Sequence, residues 1–264
     1  MMNNYVIVKK IGQGKFGSVF MGKHKKTNEI VAIKCESEDT QCKTIKHEAT
    51  ILNYLFRCKC RCVPKVLYYG IYQNNVCLIM KHFDKSWEEY MKTAKINSKQ
   101  LNRIMLCGID ILKSIHKNGI LHRDIKPANF MMCDNQLFLI DFGMATSFTG
   151  DFSDQPFKEH IVGTPKFVSY FVHCGYDSRI RDDMISLGYC YMSFLKKLSW
   201  TIENIHENDI PYMHIHHPDN IHRKNEKSLE KIKEQVDANL VRYFEHCYQS
   251  ESNVNYELLS DLFL

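Results

Sequence analysis

Two short stretches hold the residue types that chemistry needs. The first is Leu121-His122-Arg123-Asp124-Ile125-Lys126-Pro127-Ala128-Asn129. The second, Asp141-Phe142-Gly143, follows after the apolar run Leu137-Phe138-Leu139-Ile140. H-R-D-x-K-x-x-N followed by D-F-G is a pattern of phosphoryl transfer. In it Asp124 accepts the proton of an attacking hydroxyl and Lys126 lies beside the transferred phosphate. Asn129 and Asp141 hold metal ions that bridge the phosphates. D-F-G alone means little as a tripeptide. The weight comes from both motifs in this order, downstream of a glycine-rich turn.

That turn is Gly12-Gln13-Gly14-Lys15-Phe16-Gly17, between a strand over residues 5–11 and a strand over residues 18–21. A G-x-G-x-x-G between two strands suits a flap over phosphates, whereas one between strand and helix suits a dinucleotide fold. The bland reading is a plain hairpin. Residues 30–34 predict a third strand ending in Lys34, which is either aimed at phosphates or a solvated strand end. Residues 42–56 have helical spacing, with Ile45, Ala49, Leu52 and Phe56 on one face. Glu48 on that helix is expected to pair with Lys34; the alternative is a surface glutamate. Strands over 66–72 and 76–80, joined at Gln73-Asn74-Asn75, complete a five-stranded antiparallel sheet with one helix.

After Met80 the chain turns polar, and a lobe boundary falls there. A helix begins over residues 87–91. Residues 101–116 predict a strong helix with a core stripe of Leu101, Met105, Ile109, Leu112 and Ile115, ended by Asn118-Gly119. Residues 144–168 read as a polar loop with Gly163-Thr164-Pro165; Ser147, Thr149 and Ser153 are candidate phosphoacceptors, with Arg123 as a receiver of the phosphate. A buried helix is expected over 183–195 through Met184, Leu187, Tyr191 and Leu195. Asp183 is its N-terminal cap, a brace for the 121–129 backbone, or both. Residues 201–228, with His206, His214, His216, His217 and His222, read as a solvated loop rather than a metal site. Residues 229–247 predict one amphipathic helix, and residues 256–264 a short last one. Cys58, Cys60 and Cys62 are metal bait without a completing pair, so a cysteine-rich loop is the simpler reading.

The chain has 264 residues, 44% of them hydrophobic and 25% charged, enough for one large domain or two small lobes. A net charge of +5 suits a nucleotide or an acidic peptide and does not by itself indicate nucleic acid. The 11 cysteines are odd in number and lack framework spacing. No apolar run of signal length precedes the first strand, and none reaches the ~18 residues of a membrane span. A cytoplasmic or nuclear, reducing compartment is expected.

From Tyr5 to Phe263 the chain resembles a eukaryotic-type protein kinase domain. Val31-Ala32-Ile33-Lys34 matches the V-A-I-K of that family. Within it the chain resembles the casein kinase 1 branch, which includes the vaccinia-related kinases. In place of A-P-E, residues 163–175 (G-T-P-K-F-V-S-Y-F-V-H-C-G) are similar to G-T-A-R-Y-A-S-I-N-T-H-x-G. Residues 181–189 (R-D-D-M-I-S-L-G-Y) are similar to R-D-D-L-E-S-L-G-Y. The resemblance implies an α+β, bilobal kinase fold. A small antiparallel lobe with one helix (1–80) joins a hinge (81–83) and a larger, mainly helical lobe (84–264). It further implies that Gly12, Gly14 and Gly17 cover the phosphates of ATP, and that Ile11, Val19, Ala32 and Met131 line the adenine pocket. Met80 is then the gatekeeper, Lys81 to Phe83 the hinge, Lys34 and Glu48 the ion pair, and Asp124 the base. Asn129 and Asp141 bind magnesium. Lys126 places the chain with Ser/Thr rather than tyrosine kinases. The implied partners are protein substrates, acidic ones among them, met by a monomer with no role for nucleic acid or membrane.

Three departures stand out. The Asn of the S-I-N signature is Phe171. The paired arginines before D-D are Ile180-Arg181, with Arg179 displaced by one position, which weakens the expectation of primed substrates. The family's long C-terminal tail does not follow, so autoinhibition by it is not expected. The competing readings are a pseudokinase acting as a binding module, whose sign is loss of the Lys, the Asp or D-F-G, and a kinase of small molecules.

Overall fold

The structure, a computed structural model, describes residues 2–14, 17–39, 44–93, 96–134, 136–148, 155–202, 213–250 and 253–264. In chain order the first elements are β1 (Tyr5–Gly14), β2 (Gly17–His24), β3 (Ile30–Ser37), α1 (Thr44–Arg57), β4 (Val66–Tyr72) and β5 (Asn75–Lys81). Next come β6 (Lys85–Ser86), α2 (Trp87–Thr93), α3 (Ser98–Lys117), β7 (Ile120–Leu121), β8 (Phe130–Cys133), β9 (Gln136–Leu139) and β10 (Thr146–Ser147). Among the described residues the remaining elements are helices: α4 (Tyr170–His173), α5 (Ile180–Leu195), α6 (Pro218–Glu226), α7 (Leu229–Lys233), α8 (Ala238–Gln249) and α9 (Tyr256–Asp261). The chain forms two compact units. One comprises Met1–Ser86 and Phe130–Met144, the other Trp87–Asn129 and Ala145–Leu264.

The first unit is built on an antiparallel sheet in the order β1-β2-β3-β5-β4. Strand side chains alternate between faces. Val31 and Ile33 of β3 therefore bury with Met2 and Ile79, while Lys34 and Glu36 reach toward α1. Gln73 and Asn74 have φ of 48° and 59°, the left-handed pair that closes a two-residue hairpin between Tyr72 and Asn75. The helix α1 buries Ile45, Glu48, Ala49, Leu52 and Leu55. A smaller sheet, β6-β8-β9, completes the unit.

The second unit is organised around α3. A capping box starts it: Gln100 N donates to Asn97 Oδ1 (2.9 Å) and Asn97 N donates to Gln100 Oε1 (3.0 Å). Such caps contribute about 1 kcal/mol. The stripe Leu101, Met105, Ile109, Leu112, Ile115 is buried, and Gly119 ends the helix at φ +70°. In α5 almost every residue is buried, Met184, Leu187 and Tyr191 included, but Leu195 emerges at 52% exposure in the last turn. Among the described residues no helix is long and apolar enough to cross a membrane.

Three local expectations are corrected here. Asp183 is not the cap of α5: the helix begins at Ile180, and Arg179 N donates to Asp182 Oδ2 at 2.7 Å. Residues 218–226 are a helix, not loop, with His217 capping Asp219 N and Pro218 in the first turn. Its buried side is polar, Asn220 and Arg223, so apolar periodicity does not reveal it. Residues 229–247 are two helices rather than one. Asp237 accepts from Leu240 N (2.9 Å) and starts α8 afresh. His206, Thr149 and Ser153 lie outside the described residues.

Candidate active site

In the sheet unit, β3 carries Lys34 and α1 carries Glu48. Lys34 Nζ lies 2.8 Å from Glu48 Oε2 and 2.7 Å from Asp141 Oδ1. Glu48 is buried, and its Oε1 also accepts from Phe142 N at 3.2 Å. One glutamate thus fixes both the lysine and the D-F-G backbone. Burial pulls Lys34 down, but the Glu48 and Asp141 carboxylates outweigh it and hold the ammonium well above its usual value. Burial lifts the Glu48 carboxyl, against the downward pull of Lys34 and Phe142 N. Removing one member of such a buried pair costs about 3–5 kcal/mol. Asp141 sits at φ 63°, a left-handed conformation uncommon for a residue with a side chain. Its side chain remains 43% exposed, so the carboxylate can meet a ligand.

The other expected nucleotide contacts lie in the same unit, most on the five-stranded sheet and Met131 on β8 of the smaller one. Val19 is the register partner of both Gly12 and Lys34, Gly14 pairs with Gly17, and Ala32 pairs with Met80. Gly17 has no alternative: an added Cβ would stand 2.1 Å from the Cys35 carbonyl oxygen. Ile11 is half-exposed on β1 and Met80 is buried. Met131 pairs with Phe138, whose ring packs against Phe83 at 4.9 Å and lies 5.8 Å from Lys81 Nζ.

In the helical unit, Asp124 is buried and surrounded by donors. Thr164 Oγ1 donates to Oδ1 (2.6 Å), Lys126 Nζ lies 2.8 Å from Oδ2, and Asn129 Nδ2 donates to Oδ2 (3.1 Å). Lys126 also donates to Thr164 Oγ1 at 3.0 Å. A carboxylate has about four lone-pair sites. These three donors leave one site on Oδ1 for a substrate hydroxyl, counted among the described residues. Asn129 Nδ2 donates as well to Asp124 O at 2.8 Å. With its nitrogen so engaged, Asn129 presents Oδ1. That oxygen in this unit, and the Asp141 carboxylate in the sheet unit, are each a hard donor of the kind magnesium takes, so each residue by its own chemistry suits the metal.

The loop bearing Asp124 is braced from below. His122 N and Arg123 N donate to the two oxygens of Asp183 at 2.8 and 2.9 Å. Arg123 is thereby held at φ 67°. His116 Nε2 meets Asp183 Oδ2 at 3.0 Å, and Tyr256 OH meets His116 Nδ1 at 2.7 Å. The bracing role of Asp183 is therefore present and the capping role is not. Gly163, at φ +109°, runs so close that a Cβ would stand 2.3 Å from the Arg123 carbonyl oxygen. This approach delivers Thr164 to Asp124. The fully buried Lys227 donates to Pro165 O (2.9 Å) and Val168 O (2.7 Å) and backs the same loop. Thr164 as a partner of Asp124, and Lys227, escape sequence reasoning. Their only signals are the G-T-P triplet and a lysine in an otherwise featureless run. Arg181 lies over Phe171, its Cζ 3.5 Å from the ring centroid, while Arg179 is buried at the head of α5.

The sequence matches the protein kinase domain over residues 5–257. The chain belongs to the protein kinase family. A probable casein kinase I homolog of Encephalitozoon cuniculi is 31% identical over 212 residues, which cover 75% of this chain and 68% of that relative. Within the family the chain is casein kinase 1-like.

Proposed function

We propose that this casein kinase 1-like Ser/Thr kinase transfers the γ-phosphoryl group of ATP to protein hydroxyls with the residues assembled above. The observation that carries the assignment is the Asp124 carboxylate, held by Thr164, Lys126 and Asn129 with one acceptor position left on Oδ1. Asp124 takes the proton of the incoming Ser or Thr hydroxyl, and Lys126 balances charge beside it. Lys34, oriented by Glu48, holds the phosphates under the strand pair that Gly12, Gly14 and Gly17 open. Ile11, Val19, Ala32, Met80 and Met131 receive the adenine, and the backbone of residues 81–83 hydrogen-bonds its edge as the hinge between lobes 1–80 and 84–264. Asn129 and Asp141 would hold magnesium, which neutralises developing charge on the phosphates.

The net charge of +5 favours acidic protein substrates. The kinase acts as a monomer in a reducing, cytoplasmic or nuclear compartment, away from nucleic acid and membranes. The test is transfer of radiolabelled phosphate from ATP to casein by wild type and Lys34→Met. Wild type is expected to label casein, and the variant to lose at least ~10²-fold in rate. An unlabelled substrate with wild type, in a preparation that binds ATP, marks a pseudokinase instead.

A further inference from the structure

Two cysteines on the sheet play no part in this reading. Cys35 of β3 and Cys77 of β5 are register partners, and their sulfurs lie 3.0 Å apart. Partners on neighbouring antiparallel strands have Cα separations of about 4.5–5.5 Å. That falls inside the ~4.4–6.8 Å a disulfide spans, so closing the bond needs side-chain rotation and no backbone movement. The ladder on either side, Lys34 with Leu78 and Glu36 with Val76, keeps the two facing each other. Cys77 is buried and Cys35 is partly exposed, so a small oxidant reaches the pair from the Cys35 side. The S–H of Cys35 also stabilises a neighbouring thiolate, which draws the Cys77 thiol below its ordinary value.

We propose that Cys35 and Cys77 are an oxidation site, forming an intramolecular disulfide that staples β3 to β5 one residue from Lys34. With hydrogen peroxide as oxidant, the thiolate of the pair attacks one peroxide oxygen. The O–O bond breaks, and hydroxide leaves and takes up a proton as water. The second sulfur attacks the resulting sulfenic sulfur; the S–O bond breaks, and the hydroxyl departs with the remaining thiol proton as a second water. Two thiols are oxidised by two electrons and one peroxide is reduced to two waters. The stapled strand is the one whose Cys35 carbonyl is packed against Gly17, so the bond ties together the supports of the lysine and of the glycine turn.

The experiment uses the full chain, reduced, treated with hydrogen peroxide while folded, then alkylated under denaturing conditions and digested with trypsin. The expected product joins the peptide of residues 35–43 to that of residues 66–81, two hydrogens lighter than their sum and cleaved by dithiothreitol. The first peptide also contains Cys42, so variants assign the bond: it is absent in Cys35→Ser and retained in Cys42→Ser. Mapping also separates it from a product of a second sulfur contact among the described residues, Cys60 with Cys62 at 3.3 Å. Full alkylation of both Cys35 and Cys77 after peroxide overturns the proposal. So does a linked peptide that survives in Cys35→Ser, or sulfinic acid at either residue without the link. Circular dichroism of Cys35→Ser matching wild type shows that loss of the link is not loss of fold.

Discussion

Asp183 shows how a single carboxyl can serve a site it never enters. Burial drives its pKa up, but His116 and His122, the backbone N–H of His122 included, prevail and hold it below the ordinary aspartate value. A carboxyl with a depressed folded pKa stabilises the fold above its unfolded value of about 3.9, and that contribution is lost as pH falls. The melting-temperature gap between wild type and Asp183→Asn is therefore expected to be full from pH 7 to 5 and to shrink as pH drops below about 4. A gap that stays constant over this range contradicts the account. The pairing of Lys34 with Glu48 and the gathering of Lys126 and Asn129 at Asp124 are legible in sequence because each lies within or beside a short motif. Thr164 is not, because it gains its role only when Gly163 passes against Arg123, 40 positions away along the chain.

At the scale of elements, β3 holds α1 twice. Lys34 reaches Glu48, and the buried Glu36 carboxylate accepts from Thr44 Oγ1 (3.0 Å) and Ile45 N (3.2 Å) in the first turn. A carboxylate there meets unsatisfied N–H groups and the positive end of the helix dipole. Losing such a charged hydrogen bond costs about 1.5–3 kcal/mol. If it sets the position of Glu48, Glu36→Ala lowers kcat/KM for ATP by about 10-fold or more, and Glu36→Gln, which keeps an acceptor, by less than about 3-fold. Equal kcat/KM in wild type and Glu36→Ala would refute the coupling. The sheet and the helices α1 and α3 are readable because each buries an apolar stripe with a clear period. The helix α6 is hidden because Asn220 and Arg223 fill its inner face, and the break between α7 and α8 rests on one aspartate cap.

For the whole molecule, the residues assigned to the nucleotide and the residue assigned to the proton belong to different compact units. Activity then needs both, and the two roles separate experimentally. On the proposed assignment, nucleotide affinity depends on Lys34 and the glycine turn, and chemistry depends on Asp124. The bilobal plan is legible because one run of strands is followed by one run of helices. The grouping of Phe130–Met144 with the strands is not, because that hairpin joins the sheet unit only after α2, α3 and β7 of the other unit have intervened. The most direct measurement is ATP affinity by calorimetry alongside casein phosphorylation rate, for wild type and Asp124→Asn. The account predicts a rate at least ~10²-fold lower with ATP affinity within about 3-fold of wild type. An Asp124→Asn enzyme that phosphorylates casein as fast as wild type contradicts it.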